Sequence, residues 1–174
     1  MTVTVNSYFC GAGLMDVGLL SAGITVNQAF ELDSDACKTY RHNIGDHVKQ
    51  CDISQELVFE QGASDGMVFT YPCTKYSTIG DIHGVRTGDD LFLHALRHFA
   101  LARPEFYVIE NVPGMRAFPV VMEAMTRMPD YFIQVFCPIQ SETWLPQRRN
   151  RLIIIGTRRA FSPSDPRRNS NRCP

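Results

Sequence analysis

The sequence predicts an α/β fold in which helices cover both faces of a mostly parallel central sheet. Three observations lead to this prediction: short apolar runs alternate with helical patterns, glycine or proline marks the junctions, and no internal repeat interrupts the alternation. Strands connected through helices are usually parallel and buried on both faces. With 174 residues, the chain is long enough to bury one sizeable core.

The first half of the chain is predicted to contain successive strand and helix units. An apolar run ends at Phe9, and the helix after it begins at Asp16 and ends at Gly23. Ser34 is the predicted N-cap of the next helix, which extends to Asn43. Strands are predicted over residues 3–9, 24–31 and 66–70, with a short strand near residue 48.

The second half continues this alternation after a long connection. Residues 71–88 contain glycines at 80, 84 and 88 and are long enough for a mobile loop or lid, after which Asp89 and Asp90 cap a helix that ends at Arg103. The polar, basic composition from residue 161 predicts a tail over residues 161–174, disordered or a truncated linker, and a folded domain over residues 1–160. Further elements are a helix over residues 120–128 and strands over residues 106–109, 131–136 and 152–155.

Composition excludes several classes of protein. No apolar stretch approaches the length of a membrane helix, and the first residues lack the pattern of a signal peptide, so we expect a cytoplasmic or nucleoid-associated protein. The six cysteines show neither CxxC spacing nor a cysteine–histidine cluster. This predicts free thiols and no metal site.

The net charge of -1 conceals an asymmetry along the chain. Residues 1–130 carry nine Lys or Arg against sixteen Asp or Glu, whereas residues 131–174 carry eight Arg against two acids. An arginine cluster is typical of a surface on which phosphates dock. The alternative is a group of solvated arginines near a chain terminus.

A glycine-rich turn follows the first predicted strand. Gly11 and Gly13 lie between a strand and a helix, where the backbone can approach a ligand closely and helical N–H groups point at it. Glu31 ends the next strand, where a carboxylate can accept hydrogen bonds from both hydroxyls of a ribose. Asp52 ends the third strand and can accept from an exocyclic amine such as that of adenine. An adenosine-containing cofactor is predicted, and helix capping is the alternative role for either acid.

Two further segments follow predicted strands and carry reactive side chains. Cys73 stands after the strand over residues 66–70, a position that suits a nucleophile, although most free cysteines are small buried hydrophobes. Glu110 leaves an apolar run at the same edge, where a carboxyl can donate or share a proton, or else is an ordinary loop acid before a turn. Alternation places Arg149 and Arg151 on one face, and their guanidinium groups suit a carboxylate, phosphate or carbonyl oxygen.

In order and spacing, these segments resemble the motifs of the DNA cytosine-5 methyltransferases. The resemblance covers residues 8–157 and implies a Rossmann-like fold that uses S-adenosylmethionine. Six motifs are matched by residues 9–13, by Glu31, by Asp52, by Pro72 and Cys73 with Ser77 and Gly80, by residues 110–112 and by residues 147–151.

The resemblance implies that the chain methylates C5 of a cytosine flipped out of double-stranded DNA, through a covalent bond between Cys73 and C6. Glu110 would hold and protonate N3, and Arg151 would bind O2. Arg149 would support the pocket, and Asn111 would brace the proline–cysteine turn. The implied cofactor contacts are Phe9, Gly11, Ala12, Gly13, Glu31, Leu32, Asp52, Ile53 and Pro72.

The chain departs from the family pattern without losing a reacting group. Tyr71 stands where a proline is frequent, Thr74 replaces a glutamine, and Leu32 replaces a tryptophan that covers the adenine. Family members usually continue with a target-recognition domain after the arginine motif. We therefore expect one subunit of a split enzyme whose partner carries that domain, a truncated fragment, or a small stand-alone enzyme. A transfer-RNA cytosine methyltransferase and a non-catalytic nucleotide- or nucleic-acid-binding protein are the remaining alternatives.

Overall fold

The structure, a computed structural model, describes residues 2–59, 62–72, 91–143 and 146–159. Its α/β architecture confirms the predicted fold class. The strands are β1 (Thr4–Tyr8), β2 (Thr25–Glu31), β3 (Val48–Gln50), β4 (Gly66–Phe69), β5 (Phe106–Asn111), β6 (Phe132–Gln140) and β7 (Asn150–Thr157). The helices are α1 (Leu14–Ser21), α2 (Ser34–Asn43), α3 (Leu91–Ala102) and α4 (Pro119–Thr126), with 3-10 helices over Pro113–Ala117 and Ser141–Thr143.

The seven strands hydrogen-bond in the order β3-β2-β1-β4-β5-β7-β6. The pairs β1–β2, β1–β4 and β2–β3 are parallel, and β6–β7 is antiparallel. Parallel pairing brings the carboxyl ends of β1, β2, β3 and β4 to one edge of the sheet. None of the helices in the described ranges combines the length and apolar character needed to cross a membrane.

The chain contains two compact units, the first of which comprises Met1–Pro72 and Asp90–Val108. In this unit, alternation along β1 separates two faces of the sheet. Val5 packs with Val26, Ala29 and Tyr40 on the side of α1 and α2. On the other face, stacked and edge-on contacts join the aromatic rings of Tyr8, Phe30, Phe69, Phe99 and Tyr107 in a chain that includes α3. Helices therefore cover both faces, as predicted.

The second unit comprises Cys73–Asp89 and Ile109–Pro174. Its described part contains the end of β5, the hairpin of β6 and β7, and α4. Phe132 pairs with Thr157 and Phe136 with Ile153, after which the register shifts before Ile139 pairs with Arg151. Both strands extend beyond the apolar runs from which they were predicted, because polar residues at their ends also join the ladder.

The structure corrects one predicted helix cap. Asp33, and not Ser34, is the N-cap of α2: its backbone is extended (φ -73°, ψ 122°) and its carboxylate accepts hydrogen bonds from the N–H groups of Asp35 and Ala36. Ser34 is already the first helical residue. A carboxylate at this position also interacts favourably with the helix dipole. Several predictions concern parts of the chain outside the described residues: Cys73, Thr74, Ser77 and Gly80, the loop beyond Pro72, the cap at Asp89 and Asp90, and the tail over residues 161–174.

Candidate functional site

The first unit contains a cavity of about 620 Å³ at the edge formed by the carboxyl ends of its strands. This volume is in the usual range for small-molecule and cofactor sites. Ala12 and Gly13 are not among its lining residues, whereas Gln50, Thr70 and Leu91 line it without having been predicted. Gln50 and Thr70 stand at the ends of predicted strands, and this position could have identified them as cavity residues. Seven predicted cofactor residues line the cavity: Phe9, Gly11, Glu31, Leu32, Asp52, Ile53 and Pro72.

The glycine turn has a left-handed backbone at both glycines, with φ of 55° at Gly11 and 91° at Gly13. Only Gly11 lines the cavity. Gly13 is the N-cap of α1, and a Cβ atom there would lie 2.1 Å from Cδ1 of Ile44 and 2.8 Å from the ring of Tyr40. Gly13 thus allows close packing beneath the turn, while Gly11 presents backbone to the cavity.

Glu31 holds together the two loops that meet at the cavity. Its Oε2 accepts a hydrogen bond from the N–H of Gly11 at 2.8 Å, and its Oε1 accepts from the N–H groups of Leu32 and Asp33 at 2.9 Å each. The expected role toward a ribose did not anticipate these bonds. A carboxylate has about four acceptor sites, so Glu31 can order the loops and still receive a ligand hydroxyl.

Asp52 forms a turn and lines the cavity at the same time. Its Oδ1 accepts from the N–H of Ser54 at 2.9 Å, and its carbonyl accepts from the N–H groups of Gln55 and Glu56. Hydrogen bonds from the side chain and backbone of Ser54 lower the pKa of the Asp52 carboxyl. Asp52 caps a turn and not the helix considered as an alternative above, and this local role is compatible with its position in the cavity lining.

A buried polar network lies beneath the glycine turn. The Asp16 carboxylate is fully buried and accepts hydrogen bonds from the hydroxyls of Ser7 at 2.6 Å and Tyr40 at 2.8 Å, while the Tyr40 hydroxyl also lies 3.0 Å from Nε2 of His47. Burial raises the pKa of Asp16 despite these bonds. The sequence interpretation treated Asp16 only as the start of a helix. A single acidic residue among the apolar residues of that helix could have indicated a buried, hydrogen-bonded carboxylate.

Replacing Asp16 by asparagine should change the pH dependence of stability. Because the pKa of Asp16 in the folded protein is raised above its ordinary value of 3.8, ionisation of this carboxyl opposes folding. The wild type should therefore lose stability relative to Asp16→Asn as pH rises from 3.8 to the folded pKa. Denaturant unfolding from about pH 4 to pH 7 measures the difference. The Asp46→Asn variant, which makes the same replacement at an exposed position, is measured beside it as the matched control. A difference between wild type and Asp16→Asn that stays constant with pH would contradict the prediction.

In the second unit, Glu110 and Arg151 form an ion pair between Oε1 and Nε. Glu110 lies near the end of β5 and Arg151 near the start of β7, and each side chain is 25% exposed. Arg151 also donates from Nη1 to the carbonyl of Asn150 at 2.8 Å, which fixes the orientation of the guanidinium. A carboxyl group and a guanidinium group are thereby presented together from two strand ends.

The other two predicted residues in the described part of this unit are placed differently. Asn111 is buried, and its Oδ1 accepts from the N–H of Val112 at 2.8 Å. Arg149 precedes β7, which begins at Asn150, and its side chain is exposed. The alternation argument applies only within a strand, so it did not establish a shared face for Arg149 and Arg151. The supporting role of Arg149 and the bracing role of Asn111 remain predictions.

Comparisons with known proteins place these features in a family. The family model for the C-5 cytosine-specific DNA methylase matches residues 3–173. Among curated relatives, Type II methyltransferase M.FnuDI of Fusobacterium nucleatum is 28% identical in an alignment of 165 positions, which covers 91% of this chain and 48% of the relative. Type II methyltransferase M.AquIA of Picosynechococcus is 29% identical in an alignment of 178 positions, which covers 87% of this chain and 71% of the relative.

A solved structure supports the fold assignment. The Dnmt2 methyltransferase of S. pombe is 20% identical and aligns with a TM-score of 0.71 over 92% of this chain and 50% of that one. The chain thus spans about half the length of that structure and of M.FnuDI. Since the family model extends over almost the whole sequence, the chain belongs to the family of C-5 cytosine-specific DNA methylases.

Proposed function

We propose that the chain transfers a methyl group from S-adenosylmethionine to C5 of cytosine in double-stranded DNA. The paired Glu110 and Arg151 carry this proposal. Cytosine has N3 and the O2 carbonyl side by side, and a carboxyl group next to a guanidinium group is complementary to these two atoms. Glu110 would hold and protonate N3, and Arg151 would bind O2.

The cavity of the first unit fits the cofactor that the family uses. Glu31 and Asp52 are acceptors for ribose hydroxyls and for an adenine amine, and the exposed Leu32 offers an apolar surface for the base. Phe9, Gly11, Ile53 and Pro72 supply further lining. When bound, S-adenosylmethionine supplies an electrophilic methyl group from its sulfonium. We assign no metal to this chemistry.

Cys73 is the proposed nucleophile. Burial raises the pKa of the thiols of Cys10, Cys37 and Cys51, which makes them poor nucleophiles. As a thiolate, Cys73 would add to C6 while N3 takes a proton from the protonated carboxyl group of Glu110, so that C5 becomes nucleophilic. After methylation, the C5 proton is lost to a base, the N3 proton returns to Glu110 and the Cys73 thiolate is released, which restores the aromatic base and the enzyme. The base must be flipped out of the duplex for this attack.

Radioactive methyl transfer tests the substrate class. The chain is incubated with methyl-labelled S-adenosylmethionine and, in separate reactions, duplex DNA, transfer RNA and free nucleotides. We expect label at C5 of cytosine in DNA. Label on transfer RNA but not on DNA would replace the proposal with an RNA methyltransferase.

A covalent trap tests the nucleophile. In the presence of S-adenosylmethionine, duplex DNA containing 5-fluorocytosine blocks the final elimination after methyl transfer, because fluorine cannot leave as a proton does. We expect a denaturation-resistant adduct with the wild type, none with Cys73→Ala, and an undiminished yield with Cys137→Ala, the control at another free cysteine that is not fully buried. Adduct formation by Cys73→Ala would remove Cys73 from the mechanism. A protein that binds nucleic acid without catalysis would form no adduct and would tolerate Cys73→Ala.

The remaining part of the proposal concerns assembly. We propose that residues 1–160 form the catalytic and cofactor-binding domain, and that recognition of the target sequence is supplied by a segment or a second subunit outside this sequence. The span of about half of M.FnuDI supports this division. Addition of the polypeptide encoded by a neighbouring reading frame to the methylation assay tests it, with increased sequence-specific transfer as the expected result.

A further inference from the structure

The segment over residues 52–58 forms one wall of the cavity but has little regular structure of its own. Asp52 and Ile53 line the cavity, and beyond the turn that Asp52 begins the segment joins no strand or helix. A wall of this kind keeps its geometry only if other elements hold its backbone, because loops lacking such bonds open readily.

Arg97 on α3 provides such bonds at the cavity end of the segment. Its Nη2 donates to the carbonyl of Ile53 at 2.8 Å and lies 3.4 Å from the carbonyls of Ser54 and Glu56. One guanidinium nitrogen therefore contacts three backbone carbonyl oxygens of the segment. A lysine also carries three donors on one nitrogen, so it could form some of these bonds, whereas an apolar side chain could form none.

His98 and Tyr8 hold the far end of the same segment. Nδ1 of His98 donates to the carbonyl of His94 at 2.7 Å, which leaves Nε2 to accept from the N–H of Val58 at 3.3 Å. The Tyr8 hydroxyl donates to the carbonyl of Val58 at 2.9 Å. Val58 is thus held through both of its backbone groups, while Arg97 holds the other end of the segment next to Asp52 and Ile53.

One polar atom of Arg97 is buried without a hydrogen bond to the described part of the chain, which is unfavourable if the residue serves only to stabilise the fold. Its Nε is buried and has no hydrogen-bond partner among the residues that the structure describes. An unpaired buried donor opposes folding, so an apolar side chain of similar length would avoid this penalty. The contacts that an apolar side chain could not replace are those with the three carbonyls.

We propose that Arg97 is a positioning residue for the cofactor site, which fixes the wall that faces the adenine end of the ligand. It acts through Asp52 and Ile53 and does not itself line the cavity. The inference rests on the proposed function for the identity of the ligand. Its effect falls on recognition of the adenine and leaves the glycine turn and Glu31 unchanged.

Ligand binding by the full chain, measured by calorimetry, tests this role. The probes are S-adenosylhomocysteine and S-inosylhomocysteine, which lacks the exocyclic amine. For Arg97→Met we expect binding of S-adenosylhomocysteine to weaken at least tenfold. The affinity for the inosine analogue should fall by less, so that the ratio between the two affinities becomes smaller. Arg97→Lys should recover part of the affinity. Arg41→Met, which removes an arginine bond to the carbonyl of Val48, should bind within about twofold of the wild type.

Amide hydrogen exchange without ligand provides the second measurement. Arg97→Met should exchange faster at residues 52–58 while protection in β1 and β2 is retained. Unchanged exchange at residues 52–58, or an equal loss of affinity for both probes, would overturn the proposal. If Arg97→Met does not fold, the same two criteria apply to Arg97→Lys. If the wild type binds neither probe, the proposed function fails, while the exchange measurement still decides whether Arg97 orders the wall.

Discussion

Gly13→Ala is expected to lower the free energy of unfolding by about 3 kcal/mol, because two separate penalties add. The residue adopts φ of 91°, and an L side chain in this region costs about 1 kcal/mol. The new Cβ would also meet Ile44 and Tyr40 at 2.1 and 2.8 Å. The end of Ile44 can rotate away, but the buried Tyr40 ring is held through its hydroxyl by Asp16. Overpacking of this kind adds about 2 kcal/mol.

Two comparisons separate these penalties in denaturant unfolding. Gly23 has φ of 80° and open space around its Cβ position, so Gly23→Ala should cost only about 1 kcal/mol. Ile44→Val removes the Cδ1 atom that the new methyl would meet, and it should therefore be less damaging in the Gly13→Ala background than alone. Equal losses for Gly13→Ala and Gly23→Ala would show that packing beneath the turn is irrelevant.

The part of the fold that follows from local pattern was predictable. Apolar runs and glycine junctions identified the strands, and parallel connections place strand ends at one edge, which is why Glu31 and Asp52 could be assigned to a common cavity before its geometry was known. The antiparallel direction of β7 did not follow from the predicted bounds. The strands predicted over residues 131–136 and 152–155 leave fifteen residues between them, enough for a parallel crossover, whereas in the structure only residues 141–149 separate β6 from β7.

Contacts between distant parts of the chain were not predictable from these patterns. The bonds from Arg97 to the segment over residues 52–58 join parts of the sequence more than 40 positions apart, and nothing local indicates them. The link between Asp16 and Tyr40 is of the same kind. Periodicity reports which face of an element is buried, but the partner of a buried polar group depends on how several elements pack together.

Glu110→Gln and Arg151→Met are each expected to reduce the rate constant for methyl transfer by about 10²- to 10³-fold. Both side chains are three-quarters buried, and loss of either leaves its partner as a partly desolvated charge without its ion pair. Either change also removes a group that faces the proposed base. Because the two residues act as a unit, the double variant should be less than tenfold slower than the slower single variant, far from the product of both effects.

Stability measurements on the same variants distinguish a pair from two independent residues. A double-mutant cycle should give a coupling of about 1 kcal/mol between Glu110 and Arg151. The control is the exposed pair of Glu123 on α4 and Arg127, the C-cap of that helix, whose atoms lie 2.8 Å apart with side chains 62% and 77% exposed. This pair should couple by about 0.4 kcal/mol, and its replacement should leave methyl transfer unchanged. Fully multiplicative rate losses with no coupling in stability would mean that Glu110 and Arg151 act separately. The closeness of the two groups would then not explain how the site holds N3 and O2 together.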